Sequence, residues 1–415
     1  MAVIRKTEKK SPETIIFYER FSLDPDRRER RFIQVNYSHI RSPLEQIESF
    51  RKESSGRISP NDLVYQPADH NDHYGGGVFE GIRAKPKGEF ERGELIVDSP
   101  LELSIINGEK NAERFLRSMD SLGLRPPQTE PHDLPSEVLE RLKLYDGSKD
   151  VFIPDSFTPK YILEVLCDVI RLNTDAGHIN PEKGEIYLRP LAFRSSHPEG
   201  RLGVYSLQHD IVFIAMVQEW GDYLPNGLKL VVPRDGVESP IRRTKASANY
   251  ALGQKAKNDA TRFVTPNGIY SFDDALFTDN GRNVEEATGA NFFGMKGEQI
   301  VTPPLAQYIL PGITRETAIR LARGIGFDVN DKEEIPLERL AEFDCFFLSG
   351  SATGLRSGAL VYDPKTKSAY TFDQNHGPFL ALQKEFNHLL YGMTVEPRNQ
   401  DLQQQIRSAL VPFGR

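Results

Sequence analysis

Residues 242–260 read RRTKASANYALGQKAKNDA, and this stretch raises the main question about the protein. A single lysine, Lys245, stands just before a run of small and polar residues that is typical of a helix. Asn249 and Tyr250 follow it by about one helical turn. A lysine near the start of a helix is usually solvated, so a chemical role for Lys245 depends on what the rest of the chain places around it.

Composition and charge narrow the class of protein. The 415 residues are enough for two domains and at least one large core, and 38% hydrophobic with 27% charged residues is ordinary for a globular protein. Lys and Arg number 52 against 59 Asp and Glu, which gives a net charge of -7. No general basic field can therefore hold nucleic acid or an anionic membrane, and we expect neither as a partner. Any anion must be bound locally.

The cysteines and the N-terminus indicate a cytoplasmic setting. Cys167 and Cys345 are the only two cysteines, and each lies inside an apolar run. This pattern argues against a disulfide framework and against a cysteine metal site. The N-terminus has no apolar segment of signal-peptide length, and no apolar run elsewhere is long enough to span a bilayer.

On the N-terminal side of Lys245, helix and strand patterns alternate. The stretch HYGGGVFEGIRA (73–84) contains three consecutive glycines, which predict unusual backbone freedom or the close approach of another group. NAERFLRSMDSLGL (111–124) has the spacing of an amphipathic helix, with Arg114 beside its apolar stripe. A second helix, PKYILEVLCDVIRLN (159–173), precedes two strands, EIYLRPLAF (185–193) and DIVFIAMVQEW (210–220). Alternation along the first strand directs Tyr187, Arg189, Leu191 and Phe193 to one face.

The turn-forming stretch WGDYLPNG (220–227) is predicted to join two halves of the chain. We expect an N-terminal extension over residues 1–60, a small α+β domain over 61–221 and a larger domain over 222–415 that carries Lys245.

Residues 275–304 predict three strands separated by hairpin turns at Asn280-Gly281 and Lys296-Gly297. LPGITRETAIRLARGIGF (310–327) predicts a helix that begins near Gly312, with Thr314 as its N-cap. FDCFFLSGSATGL (343–355) predicts a buried strand that ends in a loop of small hydroxylated residues. The fold class is α+β, with two mixed domains.

Several common catalytic signatures are missing from the sequence. The glycines of GGGVFEG lack the spacing of a dinucleotide fingerprint, no Walker lysine follows a glycine loop, and LSGSATG lacks the first glycine of a nucleophile elbow. The few histidines form no HExxH pattern, so no metal site is predicted. The residues that these exclusions leave suit a binding site for an aromatic aldehyde phosphate, because a lysine amine can form a Schiff base with such a compound.

Candidates exist for each part of such a site. The PGIT helix start, Arg114 and the SGSATG hydroxyls suit a phosphate, Glu286 suits a pyridinium nitrogen, and Tyr250 suits the ring oxygen. Each signal is weak alone, because an arginine on a helix edge is usually solvated and a glutamate beside ATG is usually a turn residue. Tyr187 and Arg189 could equally be cross-strand packing. The joint occurrence of all these candidate residues in one chain is harder to attribute to chance.

Seven ordered motifs resemble those of class IV aminotransferases. Within that class, the likeness is greatest to the branched-chain amino acid aminotransferases of fold type IV. They are HYGGGVFEGIR, YLRPLAF, WGDYL, KASANY, EEATGANFF, TPPLAQYILPGITRETAIRLA and FLSGSATGL, and the likeness covers roughly His73 to Gly392. The resemblance implies an α+β fold of the D-amino acid aminotransferase type, pyridoxal 5'-phosphate as cofactor, and a homodimer. It also implies exchange of an amino group between an L-amino acid, branched-chain or similarly hydrophobic, and a 2-oxo acid such as 2-oxoglutarate.

The resemblance assigns roles to individual residues. Lys245 carries the cofactor and moves the proton, whereas Lys255 and Lys257 become surface residues. The implied cofactor-binding residues are Arg114, Lys245, Tyr250, Glu286, Ile313, Thr314 and Ser351. The implied substrate-binding residues are Phe79, Tyr187, Arg189, Tyr223 and Ala352.

Two departures and three alternatives accompany this assignment. Ser247 and Ala248 stand where the family commonly has glycines, and Gly354 stands where its branched-chain members often carry a bulkier acidic residue. A fold type IV lyase acting on aminodeoxychorismate and a D-amino acid aminotransferase would use the same lysine and glutamate. A protein of this fold that has lost catalysis is the third alternative.

Overall fold

A computed structural model of the chain describes residues 13–36, 70–91, 94–125, 151–195, 203–204, 206–221, 224–233, 240–305 and 308–412. Tyr223, one of the predicted substrate-binding residues, lies outside these ranges. Within them, no helix is both long enough and apolar enough to cross a membrane.

The strands follow one another along the whole chain. They are β1 (Glu13–Phe21), β2 (Glu29–Asn36), β3 (Gly77–Phe79), β4 (Ile82–Pro86), β5 (Gly88–Glu91), β6 (Glu94–Val97), β7 (Leu103–Ile105), β8 (Glu185–Arg194), β9 (Ile211–Trp220), β10 (Leu228–Val231), β11 (Asp274–Asp279), β12 (Asn283–Ala287), β13 (Asn291–Lys296), β14 (Gln299–Val301), β15 (Asp328–Asn330), β16 (Cys345–Gly350), β17 (Gly354–Asp363), β18 (Ser368–Thr371) and β19 (Ala409–Val411). The helices are α1 (His70–Tyr74), α2 (Gly108–Ser121), α3 (Pro159–Asp175), α4 (Ser247–Arg262), α5 (Ile313–Gly324), α6 (Gly377–Tyr391) and α7 (Gln400–Ile406).

The strands form two large sheets. The first has the order β19-β7-β4-β8-β9-β1-β2, with β3 also paired to β8, and the second has the order β12-β11-β10-β17-β16-β13-β14-β15, with β18 beside β17. A further pairing of Glu286 with Asn291 joins β12 to β13, so that six strands of the second sheet close on themselves. Strands β5 and β6 form a separate hairpin. The last strand, β19, returns to the first sheet, and the division into domains at residues 221–222 stays a prediction.

Helices cover each sheet with apolar faces. The predicted amphipathic helix is α2, and its residues Ala112, Phe115 and Met119 are fully buried against β9 and α3, where Phe213 and Leu166 lie in the same core. Helices α5 and α6 bury a second core on the other sheet. The α+β class is confirmed, because strands and helices are mixed along both halves of the chain.

Local predictions in the second half are largely confirmed. Asn280 and Gly281 adopt positive φ values of 49° and 76° in the β11–β12 hairpin, and Gly297 has a φ of 56° in the β13–β14 hairpin. Residues 275–304 form four strands rather than three, because the chain turns tightly between Ala287 and Ala290. The prediction that Thr314 caps α5 is wrong. Gly312 is the N-cap, and Thr314 lies inside the first turn of the helix.

Gly358 on β17 is a position where only a glycine fits. A Cβ added there would lie 1.7 Å from the ring of Phe346, its cross-strand partner on β16, and that ring is fully buried. We expect Gly358→Ala to lower the free energy of unfolding by about 1 to 3 kcal/mol, because the ring must move out of a packed core. Urea unfolding measures this change. Gly377→Ala is the matched control, since a Cβ at Gly377 meets no atom within 4 Å, and an equal loss in both variants would contradict the explanation.

Candidate active site

A cavity of about 790 Å³ lies between the two sheets, and its walls come from both halves of the chain. All the predicted site residues that the structure describes line it, namely Phe79, Arg114, Tyr187, Arg189, Lys245, Tyr250, Glu286, Ile313, Thr314, Ser351 and Ala352. These residues span more than 270 positions of the sequence, from 79 to 352. The structure therefore brings the predicted groups together, while their individual roles stay predictions.

Backbone hydrogen bonds hold Lys245 just before the N-terminus of α4. Its N–H donates to Ser118 Oγ at 3.1 Å, and its carbonyl accepts from the Phe79 N–H at 3.0 Å. Its side chain is only half-buried, and Nζ donates to Tyr250 Oη at 2.7 Å. The ring of Phe79 packs on Tyr250 with centroids 4.7 Å apart. The lysine backbone is thus fixed from the first half of the chain, and its amine is directed to a phenol.

The three consecutive glycines provide the close approach that the sequence predicts. A Cβ on Gly75 would lie 3.1 Å from Ala248 Cβ, and a Cβ on Gly77 would lie 3.2 Å from Ser247 Oγ. Ser247 and Ala248, which replace the glycines common in the family, therefore find room opposite glycines. Gly354, the other departure, has a φ of 70°, a backbone conformation that favours glycine whatever the space around it.

The other lysines of α4 differ from each other. Lys255 is exposed and pairs with Asp259 at 2.6 Å, so its predicted surface position is confirmed. Lys257 is not a surface residue. It is half-buried, lines the cavity and lies 4.0 Å from the buried carboxylate of Asp274. Lys257 thus lines the same cavity as Lys245, twelve positions further along the chain, although the resemblance implied a surface position for it.

Glu286 is buried where β12 meets β13. Asn291 Nδ2 donates to its Oε2 at 3.0 Å, and the Leu310 N–H lies 3.2 and 3.3 Å from its two oxygens. Arg242 Nη2 lies 3.3 Å from Oε1. Burial raises the pKa of this carboxyl to about 8, although Arg242 and the Leu310 N–H act in the opposite direction. The carboxyl can therefore share a proton with a base bound in the cavity.

Arg114 is less available than its predicted role requires. Its Nε and Nη2 each donate to a carboxylate oxygen of Glu80 at 2.7 Å, and both side chains are buried. Its Nη1 donates to the Pro311 carbonyl at 3.1 Å, next to the start of α5. The charge of Arg114 is thus balanced within the protein. The sequence motif FEG contained Glu80, but nothing in the sequence indicated that it faces Arg114.

The start of α5 is open toward the cavity. The N-cap Gly312 has no side chain to cap the helix, and a Cβ there would lie 2.0 Å from Asn291 Oδ1. Asn291 also donates to the Leu310 carbonyl at 3.1 Å, so it links the carboxyl of Glu286 to the helix start. Thr314 Oγ1 lies 3.5 Å from Ser351 Oγ across the loop between β16 and β17. Uncapped backbone N–H groups beside two hydroxyls are suited to a phosphate.

Part of the cavity lining is aromatic. Tyr187 stacks on Trp220 with ring centroids 4.3 Å apart, and Trp220 Nε1 donates to the Ala352 carbonyl at 3.3 Å. Arg83 also donates to that carbonyl. Arg189 lies over the Phe79 ring at 4.6 Å and donates to Tyr187 Oη at 2.9 Å. Trp220, which also lines the cavity, was not predicted as a site residue, because its contact with Ala352 joins positions 132 residues apart.

The cavity fits pyridoxal phosphate by the chemistry of its groups. One wall offers an amine hydrogen-bonded to a phenol, the next a buried carboxyl that can share a proton, and the third an uncapped helix start with hydroxyls nearby. An aldehyde, a ring nitrogen and a phosphate are the matching groups of that cofactor. The weakest part of the fit is Arg114, whose charge Glu80 already balances.

Comparison with known proteins identifies the class. Residues 77–360, more than half of the chain, match the family described as amino-transferase class IV. The chain belongs to this family, so it is an enzyme, a transaminase that depends on pyridoxal 5'-phosphate, and the lyase and non-catalytic alternatives are not favoured.

Its relatives carry related names. Branched-chain-amino-acid aminotransferase 6 of Arabidopsis thaliana is 27% identical over 343 residues, covering 80% of each chain. Methionine aminotransferase BCAT4 of the same organism is 25% identical over 348 residues, covering 82% of each. The solved structure of the branched-chain amino acid aminotransferase from Thermobaculum terrenum in its PLP form shares the fold with a TM-score of 0.63. It is 19% identical and the match covers 98% of this chain and 100% of that one.

Proposed function

We propose that the protein exchanges an amino group between a branched-chain or similarly hydrophobic L-amino acid and a 2-oxo acid such as 2-oxoglutarate. The observation that carries this proposal is that apolar Leu191, Met216 and Leu224 line the same cavity as Arg189. Among the described residues, no carboxylate pairs with Arg189 and its buried Nε has no hydrogen-bond partner. One cavity can therefore take an apolar side chain and, in the other half-reaction, a distal carboxylate.

The residues around Lys245 divide the proton chemistry between them. When bound, pyridoxal phosphate supplies an electron sink for deprotonation of the amino acid. Lys245 Nζ moves the α-carbon proton, and Tyr250 Oη orients that amine through their 2.7 Å hydrogen bond. Glu286 holds a proton on the cofactor's ring nitrogen. Ile313, Thr314 and Ser351 hold the phosphate, and Arg114 supports the helix start through the Pro311 carbonyl.

A panel of amino donors tests the substrate class. The loaded enzyme is mixed with single amino acids and 2-oxoglutarate, and formation of glutamate is measured. We expect leucine, isoleucine, valine and methionine to react faster than aspartate, and L-leucine faster than D-leucine. Preference for D-leucine or for aspartate would contradict the proposal.

The acceptor gives a sharper prediction at Arg189. We expect Arg189→Met to raise the KM for 2-oxoglutarate about 10- to 100-fold, because a hydrogen bond to a charged group contributes about 1.5 to 3 kcal/mol. The KM for 4-methyl-2-oxopentanoate should change little, since this acceptor has no distal carboxylate. Steady-state kinetics with both acceptors measure the difference, and an equal rise for both would show that Arg189 only shapes the cavity.

The state and location of the protein are part of the same proposal. A homodimer follows from the resemblance, because the family places its active sites near the subunit interface. A cytoplasmic setting is supported by Cys167 and Cys345, which are both free. Sedimentation of the purified enzyme tests the homodimer, and a monomer that is fully active would contradict it.

A further inference from the structure

Arg242 is a buried cation that neither the sequence motifs nor the proposed roles use. It lies in a short 3-10 turn, Pro240–Arg243, three positions before Lys245, and only 8% of it is exposed. Its Nη1 donates to Glu285 Oε2 at 2.8 Å, and its Nη2 donates to Glu286 Oε1 at 3.3 Å. The ring of Phe277 lies against the guanidinium with its centroid 4.8 Å away. One arginine thus bridges two consecutive glutamates.

The group contains two carboxylates and one guanidinium. Glu285 and Glu286 are both buried, and each contacts the guanidinium of Arg242. Lys245 and Arg315 also act on Glu286 through their charges. Two ionised carboxylates side by side are costly to bury, and the cost falls when Glu286 carries a proton or is bonded to a cation.

A protonated ring nitrogen is such a cation. When one proton is shared between Glu286 and a ring nitrogen, the proton can sit on the oxygen or on the nitrogen. Arg242 contacts the carboxylate directly, so it stabilises negative charge there more than it opposes positive charge on a group beyond the carboxylate. Its presence therefore favours the arrangement with the proton on nitrogen.

We propose that Arg242 is a positioning residue that keeps the proton shared by Glu286 and the cofactor on the ring nitrogen. This inference rests on the proposed function, in which Glu286 meets that nitrogen. Arg242 acts through Glu286 and touches neither substrate nor reacting atoms. Glu285 opposes it by drawing part of the guanidinium charge away from Glu286.

The test measures where the proton lies, by ¹⁵N NMR of the purified enzyme loaded with ring-¹⁵N pyridoxal phosphate at neutral pH. In Arg242→Gln we expect the ratio of protonated to unprotonated nitrogen to fall about tenfold or more. The reason is that an adjacent charge of this kind changes the pKa of a neighbouring group by about one or more. Arg242→Lys keeps the charge and should retain most of the wild-type ratio. The exposed neighbour Arg243 is the matched control, and Arg243→Met should leave the ratio unchanged.

The outcomes separate this inference from the proposed function. If Glu286→Gln leaves the ¹⁵N shift unchanged, Glu286 does not meet the ring nitrogen and the site assignment fails. If Glu286→Gln moves the shift but Arg242→Gln does not, only the role of Arg242 is overturned. Equal effects of Arg242→Gln and Arg242→Lys would also overturn it, because they indicate a purely structural role. Should Arg242→Gln not fold, Glu285→Gln decides: a higher protonated ratio supports the role of Arg242, and an unchanged or lower ratio overturns it.

Discussion

Lys245→Ala is expected to abolish the visible absorbance band of the loaded enzyme and to lower transaminase activity by about 10³-fold or more. The amine of Lys245 is the covalent anchor of the cofactor in the proposed function, and the same Nζ moves the proton, so one substitution removes both contributions. Its backbone contacts with Ser118 and Phe79 remain in the alanine variant. The fold should therefore survive while the chemistry is lost.

Lys257→Ala is the matched control for this prediction. Lys257 lies on α4, which begins two residues after Lys245, and lines the same cavity, but it pairs with Asp274 at 4.0 Å rather than with a group predicted to hold the cofactor. We expect it to keep the absorbance band and most of the activity. Loss of the band in Lys257→Ala with retention in Lys245→Ala would reassign the reactive lysine.

Glu286→Gln is expected to lower kcat about 100- to 1000-fold, which is the usual loss when one electrostatic partner of the transition state is removed. Glutamine has the size of glutamate and keeps a carbonyl oxygen for Asn291, but it cannot carry the negative charge that holds a proton on the ring nitrogen. Donor and acceptor half-reactions should slow together, because both need the same electron sink. A drop confined to one half-reaction would contradict this role.

The same variant gives a pH-dependent result without cofactor. Burial raises the pKa of Glu286 from 4.5 to about 8 in the folded chain, so between these values the folded state holds a proton that the unfolded state releases. The stabilising contribution is complete below 4.5 and is lost as the pH rises through 8. We expect urea unfolding at about pH 5 and about pH 8.5 to show a larger fall in stability for the wild type than for Glu286→Gln. An identical fall would contradict the raised pKa.

Local patterns predicted the elements better than they predicted the contacts of the site. The asparagine-glycine hairpin at residues 280–281 and the amphipathic helix α2 follow from positive φ and helical spacing, which depend on neighbours in sequence. The N-cap of α5 was wrong by two residues, since helix ends are decided by tertiary contacts such as that of Asn291 with Gly312. Helix α6 and strand β17 were not predicted at all, although both lie in the second half.

The candidate site shows the same division. Residue types at motif positions indicated the right groups, and all those within the described ranges line one cavity. The partners that modify those groups were missed, because each comes from a distant segment. Glu80 balances Arg114 from 34 positions away, and Arg242 reaches Glu286 from 44 positions away. Only the folded arrangement shows which charges are already paired.

Lys245 is expected to be the residue that binds the cofactor. Reduction of the loaded enzyme with borohydride fixes the cofactor to its lysine, and mass spectrometry of the proteolytic peptides locates it. We predict that the phosphopyridoxyl group is found on Lys245, in a peptide where trypsin no longer cuts after that residue. Recovery of the group on Lys257, on Lys255 or on no lysine would contradict the account.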